Sequence, residues 1–195
     1  MTAPERPELT LPEAEAALLR AEYAGAKTVL EYGSGGSTLV AAEGDAAVWS
    51  VESDADWAAM MRGWFAANPA KGAAQIHHVD IGPTRDWGHP ADETGFRRWP
   101  DYALSVWDRH DFAHPDVVLV DGRFRVGCFL SMLYRISRPV VLLFDDYANR
   151  PGYHRVEELV KPRDVVGRMA RFDLRPTPLT PDRLRGFAKA LLQPA

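Results

Sequence analysis

Residues 27–52 read KTVLEYGSGGSTLVAAEGDAAVWSVE, and this stretch restricts the chain to few folds. A short apolar run at 27–30 meets an acid, Glu31. A turn rich in glycine follows, Gly33-Ser34-Gly35-Gly36, and then a small-residue helix start at Ser37-Thr38. A second apolar run at 46–51 ends in another acid, Glu52. Glycines let a backbone turn sharply after a strand and approach a ligand with no side chain in the way. Glu52 lies nineteen residues past Gly33, a spacing that suits hydrogen bonds from ribose hydroxyls. The pattern predicts a nucleotide-type site at the ends of parallel strands.

Two details sharpen the ligand. Counted as GxGxxG from Gly33, the third glycine position holds Thr38, so the dinucleotide pattern is broken. Glu31, two residues before the first glycine, would repel a pyrophosphate. A carboxylate lip suits a cationic ligand instead, such as the sulfonium and ammonium of S-adenosylmethionine.

On these residues the chain resembles the class I S-adenosylmethionine-dependent methyltransferases. Glu31, Gly33, Gly35 and Ser37 are similar to that family's first motif. Glu52 stands as its ribose-binding acid, Asp80 in AAQIHHVD as the acid facing the adenine amine, and Asp121 in DVVLVDG as the acid closing the fourth strand. The resemblance implies a cofactor set of Glu31, Gly33, Ser34, Gly35, Ser37, Glu52, Asp80 and Asp121. It implies a Rossmann-like α/β fold, a doubly wound and mostly parallel seven-stranded sheet with a C-terminal antiparallel hairpin. Without it, these acids read as helix N-caps and solvated strand ends.

The rest of the chain fits one domain over 1–195. Residues 1–9, rich in proline and glutamate, read as a loose arm. Thr10 with Glu13 reads as a capping box for a helix over 11–23 that covers one end of the site. A helix near 37–43 follows the glycine turn. Ser53 with Asp56 reads as the cap of the next helix, whose Trp57, Met60, Met61 and Trp64 form a core stripe. A third strand near 74–80 precedes residues 82–110, an irregular insertion holding Trp87, Trp99 and Trp107. Its place after a strand end makes it a substrate lid or an interface. A short helix is expected near 102–109.

Residues 116–120 read as a central strand. Its helix carries Val126, Phe129, Leu130 and Leu133 on one face. Residues 139–144 read as another buried strand, ending in Asp145-Asp146, and a helix follows near 153–160. Segments 164–174 and 186–192 read as the closing hairpin.

Asp121, Asp145 and Asp146 occupy places where catechol-type O-methyltransferases hold a magnesium ion, so Mg2+ on these three carboxylates is an expectation. The chain departs from that pattern twice. Asp146 stands where that family has asparagine, and Phe124 stands where it has a lysine base. Asp121, Asp145 and His154 are the catalytic candidates, with His110 and His114 as further histidines near the site. Arg123 and Arg125 read either as salt-bridge partners of the aspartates or as a grip on an acidic substrate group.

A net charge of −4 gives no footprint for nucleic acid. The lone cysteine, Cys128, leaves no intrachain disulfide, which fits a cytoplasmic protein. The start MTAPERPELT has no apolar run of a secretory signal, and no segment is long enough to span a bilayer. The expected activity is methyl transfer from S-adenosylmethionine to a small molecule, at oxygen, with a homodimer permitted. The rival readings are a cofactor-binding protein without turnover and a nicotinamide-dependent oxidoreductase, against which Glu31 and the missing third glycine count.

Overall fold

A computed structural model describes residues 6–194. The first strand, β1 (Thr28–Tyr32), is buried at every position, because it lies mid-sheet with helices on both faces. The glycine turn leads into α2 (Gly36–Glu43), which follows α1 (Glu13–Tyr23). Then come β2 (Ala47–Glu52), α3 (Ala55–Ala67) and β3 (Ala74–His78). A two-residue pair, β4 (Thr84–Arg85) with β5 (His89–Pro90), makes a small hairpin outside the sheet. The helix α4 (Trp99–Leu104) returns the chain to β6 (Val117–Val120). After it come α5 (Arg125–Arg135), β7 (Val140–Phe144), β8 (Asp164–Val166), β9 (Met169–Leu174) and α6 (Pro181–Ala190).

The sheet has seven strands in the order β3-β2-β1-β6-β7-β9-β8. β3, β2, β1, β6 and β7 run parallel, and β9 is antiparallel to both neighbours. This is the doubly wound sheet expected from the strand-end acids. Alternation along β1 splits the core. Val29 packs with Leu19, Tyr23, Ala41 and Ala42 on the α1/α2 face. Leu30 and Tyr32 pack with Tyr102, Phe129 and Met132 on the α4/α5 face. All parallel strands deliver their C-terminal ends to one edge, so β1, β2, β6 and β7 place their following loops around a common crevice. No helix among the described residues is long and apolar enough to cross a membrane.

Several local expectations are corrected. Residues 186–192 do not form a strand, and the closing hairpin is β8–β9 alone, turning at left-handed Gly167. Pro181 opens a helix instead, and Phe187 packs edge-on against Tyr134 of α5. Residues 151–158 form a 3-10 helix rather than an α-helix. α1 starts after Pro12 with no side-chain cap, so the Thr10–Glu13 box does not form. α3 is capped by Asp54, which accepts from the Trp57 N–H at 2.8 Å. Ser53 is unavailable because its hydroxyl donates to Gly88 O, tethering the β4–β5 hairpin to the end of β2.

Of the expected loose arm, residues 1–5 lie outside the described residues. In residues 6–9, Pro7 is buried and Arg6 pairs with Glu43. The backbone of Glu8 crosses Gly36 so closely that a Cβ there would stand 2.3 Å from Glu8 C. The stretch 82–110 divides in two. Trp99, Tyr102 and Val106 are core residues on α4 and the 3-10 turn Ser105–Asp108, while Trp87 stands exposed in the hairpin.

Candidate functional site

The crevice at the strand ends is a cavity of about 1330 Å³. Four groups of residues wall it: the segment 8–11 before α1, the glycine loop 33–37, the run 52–60 at the start of α3, and the hairpin 85–89. Tyr102, Asp121, Arg123, Arg125, Asp145, Asp146, Arg150 and Arg168 close the far side. Ser34, Ser37, Glu52 and Asp121 of the expected cofactor set, with Gly33 and Gly35, therefore share one space.

The glycine loop is shaped by contact with a second loop. Gly33 has φ +102°, and a Cβ there would lie 2.9 Å from Gly122 N. Gly122 answers it, since its own Cβ would meet the Tyr102 hydroxyl at 2.1 Å. The turns after β1 and β6 thus pass each other with no room for a side chain. Gly35 differs. It is extended, and nothing stands within 4 Å of its missing Cβ.

Glu52 is 7% exposed and uses both oxygens, one on the glycine loop and one on the start of α3. Oε2 accepts from the Ser34 N–H at 3.2 Å and its hydroxyl at 2.8 Å. Oε1 accepts from the N–H groups of Ser53 and Asp54 at 2.8 and 2.9 Å. A carboxylate offers about four lone-pair directions. The Ser34 hydroxyl can rotate away, so Glu52 retains acceptor capacity toward the cavity.

Two residues of the expected cofactor set fall outside the cavity lining. Glu31 is no lip. β1 runs two residues further than its apolar stretch, and this buries the carboxylate completely on the α1/α2 face. There it accepts from Tyr23 OH at 2.8 Å, Thr38 Oγ1 at 2.5 Å and Ser50 Oγ at 3.2 Å. Burial raises its pKa, and the hydroxyl donors oppose that rise. Thr38 Oγ1 also accepts from the Gly35 N–H at 3.0 Å, so Glu31 orders the glycine loop from beneath. Asp80 lies beyond the end of β3, where it is exposed, ion-paired with Arg98 and turned back on the Gly82 N–H.

The aspartates at the ends of β6 and β7 come together, but with arginines. Asp145, 1% exposed, is gripped by Arg168 through Nε at 3.0 Å and Nη2 at 2.8 Å. Asp146 is within 3.3 Å of Arg125 and Arg168 and 3.1 Å of Arg150. Asp121 is 3.2 Å from buried Arg125. Among the described residues no group of three or more ligands could hold a metal ion. These guanidinium groups already supply the positive charge that a divalent cation would bring, so the trio does not fit the expected magnesium site. Asp121 remains distinct. Burial pushes its pKa from 3.8 up to about 7; Arg125 opposes this, and Asp145 and Asp146 add to it.

His154 is not in the cavity lining. Its ring lies tilted against Tyr147, centroids 4.6 Å apart, and its Nε2 meets Tyr147 O at 3.0 Å. His114 is tied to Pro115 O and the Ser137 N–H.

Sequence reasoning missed Trp57, Arg150, Arg168 and the hairpin 85–89. Trp57, assigned to the core stripe, is 39% exposed and lines the cavity, where its Nε1 donates to Ser34 O at 2.9 Å. Its place in the first turn after Glu52 was the available signal. Arg168 had none, because it enters through a hairpin 23 residues past Asp145.

Comparison with known proteins agrees with this architecture. No protein-family model matches the chain, and no curated protein does. A methyltransferase-like protein from Silicibacter pomeroyi has a solved structure with 52% identity, over 97% of this chain and 99% of that one, at a TM-score of 0.91. Two more distant structures share the fold. One is an O-methyltransferase of Streptomyces achromogenes involved in tomaymycin synthesis, in complex with S-adenosylmethionine. It has 17% identity over 87% of this chain and 82% of that one, TM-score 0.58. The other is a Bacillus cereus O-methyltransferase with S-adenosylhomocysteine, 15% identical over 87% and 84%, TM-score 0.59.

Proposed function

This chain belongs to the class I S-adenosylmethionine-dependent methyltransferase family, and from that premise we propose that it methylates a small molecule at oxygen. The observation that carries the reading is the single cavity joining the glycine loop and Glu52 to Asp121. Its volume of about 1330 Å³ exceeds the roughly 300–1,000 Å³ of a one-ligand pocket. Cofactor and acceptor both have room.

S-adenosylmethionine, when bound, supplies a methyl group on a positively charged sulfur. The residues present fit it. Glu52 would hold ribose hydroxyls on its remaining lone pairs, the Ser34 hydroxyl turning aside. Gly35 leaves open space where any other residue would project a side chain. Asp121 faces the cavity, and its anionic form favours a cationic ligand nearby.

Asp121 also serves as the base for a hydroxyl acceptor. With a pKa of about 7 it can hold or release a proton near neutrality. The hydroxyl proton moves to an Asp121 carboxylate oxygen, while Arg125 keeps that carboxylate oriented. Asp145 acts as a positioning residue through Arg168, and no role is given to His154, Glu31 or Asp80 at the reacting atoms.

Calorimetric titration with S-adenosylmethionine and S-adenosylhomocysteine, with and without magnesium, tests the reading. Micromolar binding that magnesium leaves unchanged is the expected result. A folded protein that binds neither ligand would refute it. Binding with no turnover on any hydroxyl acceptor would favour a cofactor-binding protein without catalysis.

A further inference from the structure

Four arginines and three aspartates face one another at the β6 and β7 end of the cavity. Three of the arginines are engaged. Arg125 holds Asp121, Asp146 and two backbone carbonyls. Arg168 holds Asp145, and Arg150 holds Asp146 and the Tyr153 hydroxyl. Arg123 is different. Among the described residues its guanidinium makes no ion pair, and its Nε is buried without a hydrogen-bond partner.

A half-buried guanidinium with an orphaned donor is costly to maintain. Burial disfavours its charge, and the neighbouring Arg125 disfavours it further. An anion arriving in the cavity would relieve both. Guanidinium matches a carboxylate in a two-pronged geometry that no neutral group reproduces.

We propose that Arg123 binds a carboxylate of the methyl acceptor, making the acceptor a small hydroxy acid. This rests on the methyltransferase reading above. The carboxylate docks on Arg123, two residues from Asp121. That sequence spacing joins an anchor for the acid and a base for the hydroxyl on one turn of chain.

The test uses the intact protein saturated with S-adenosylhomocysteine. Small hydroxy acids from glycolate to 4-hydroxybenzoate are titrated by calorimetry, each beside its neutral amide, with inorganic phosphate as a separate arm. At least one acid should bind about ten- to a hundredfold tighter than its amide, the range of a charge-assisted hydrogen bond. Arg123→Gln should erase that preference, and Arg123→Lys should restore part of it. Protection of Arg123 from phenylglyoxal by the preferred acid, read by peptide mass spectrometry, gives the same answer without a variant. No acid preferred over its amide, or a preference that survives Arg123→Gln, would overturn the assignment. Phosphate binding tighter than every acid would overturn the choice of a carboxylate. Failure to bind S-adenosylhomocysteine would instead refute the methyltransferase reading itself, so the two failures are distinguishable.

Discussion

Alanine at Gly33 should damage the fold, while alanine at Gly35 should damage only ligand binding. At Gly33 the added Cβ would stand 2.9 Å from Gly122 N and 3.0 Å from Gly122 Cα. Both are backbone atoms, so no flexible side-chain tip can yield. The φ of +102° adds strain for any L side chain. A residue forced into a sparsely populated region costs about 1–3 kcal/mol, and overpacking about as much again. The sum, roughly 4 kcal/mol, would consume much of a stability of about 5–15 kcal/mol. For a chain of this length it lowers Tm by about 8–16 °C.

Gly35 reverses each term. Its backbone is extended, which any residue adopts, and its missing Cβ faces open space. Removing a glycine also restricts the unfolded chain, stabilising by about 0.4–1 kcal/mol. Gly35→Ala should therefore melt at or slightly above wild type. Its methyl enters space beside the cavity, and S-adenosylhomocysteine affinity should fall at least about tenfold, the 1.4 kcal/mol scale of a modest steric conflict. Thermal unfolding by circular dichroism and calorimetric titration read the two effects separately. A Gly33→Ala protein that melts with wild type refutes the crossing of the two loops. A folded Gly35→Ala protein with undiminished affinity refutes the loop as the ligand cradle.

The two buried glutamates should separate in the same assays. Glu31→Gln places an amide N–H among hydroxyl donors and should cost about 1–3 kcal/mol of stability, whereas Glu52→Gln should chiefly lower cofactor affinity. A Glu31→Gln loss of affinity as large as that of Glu52→Gln, at unchanged Tm, would restore Glu31 as a lip. Asp121 predicts a pH dependence. Its pKa rises from 3.8 unfolded to about 7 folded, so its stabilising contribution is complete below pH 3.8 and is lost as pH climbs through about 7. Wild type and Asp121→Asn should melt alike at the acid end of that window, and wild-type Tm should fall below that of Asp121→Asn as pH rises through about 7, while wild-type turnover should rise through it; a flat difference contradicts the shifted carboxyl. Arg168→Met leaves buried Asp145 without its main counter-charge. It should cost about 3 kcal/mol, the low end for a broken buried pair because Arg168 keeps 31% of its side chain exposed. A loss under about 0.5 kcal/mol, the level of a surface substitution, would show the pair to be ornamental.

The strand and helix order was legible because apolar runs and glycine turns report directly on parallel strands. The exact strand ends were not, and the site depended on them. In a strand covered on both faces, polarity is the only available end signal, and Glu31 supplied it falsely. Three hydroxyls from α1, α2 and β2 satisfy that carboxylate inside the core, a fact no local window contains. Glu52 was legible because the glycine loop and α2 fix its distance from Gly33. Asp80 was misplaced because β3 ends at His78 and Arg98, far along the chain, holds the acid outside. The aspartates at β6 and β7 were found, but their arginine partners converge from distant elements, so the resemblance to catechol-type enzymes pointed to a metal where guanidinium groups stand.

Backbone strain gives an independent reason to regard the β6 and β7 end as a site rather than a structural ion-pair cluster. Four described residues other than glycine have left-handed φ, and two of them bear on this end: Asp146 lines the cavity, and Phe124 lies directly after Arg123. Phe124 is fully buried against the rings of Trp99 and Tyr102, with centroids 5.6 and 5.5 Å away. That packing holds the chain in a turn sharp enough for α5 to begin at once after Arg123. Asp146 is held by three arginines. Each such residue costs about 1–3 kcal/mol and persists only where its surroundings over-determine it. An ordinary surface ion pair requires no such expenditure. Here the turns set Asp121, Arg123 and the β7 acids around one space, and a guanidinium in that space with no ion pair among the described residues is what a binding site for an acid requires.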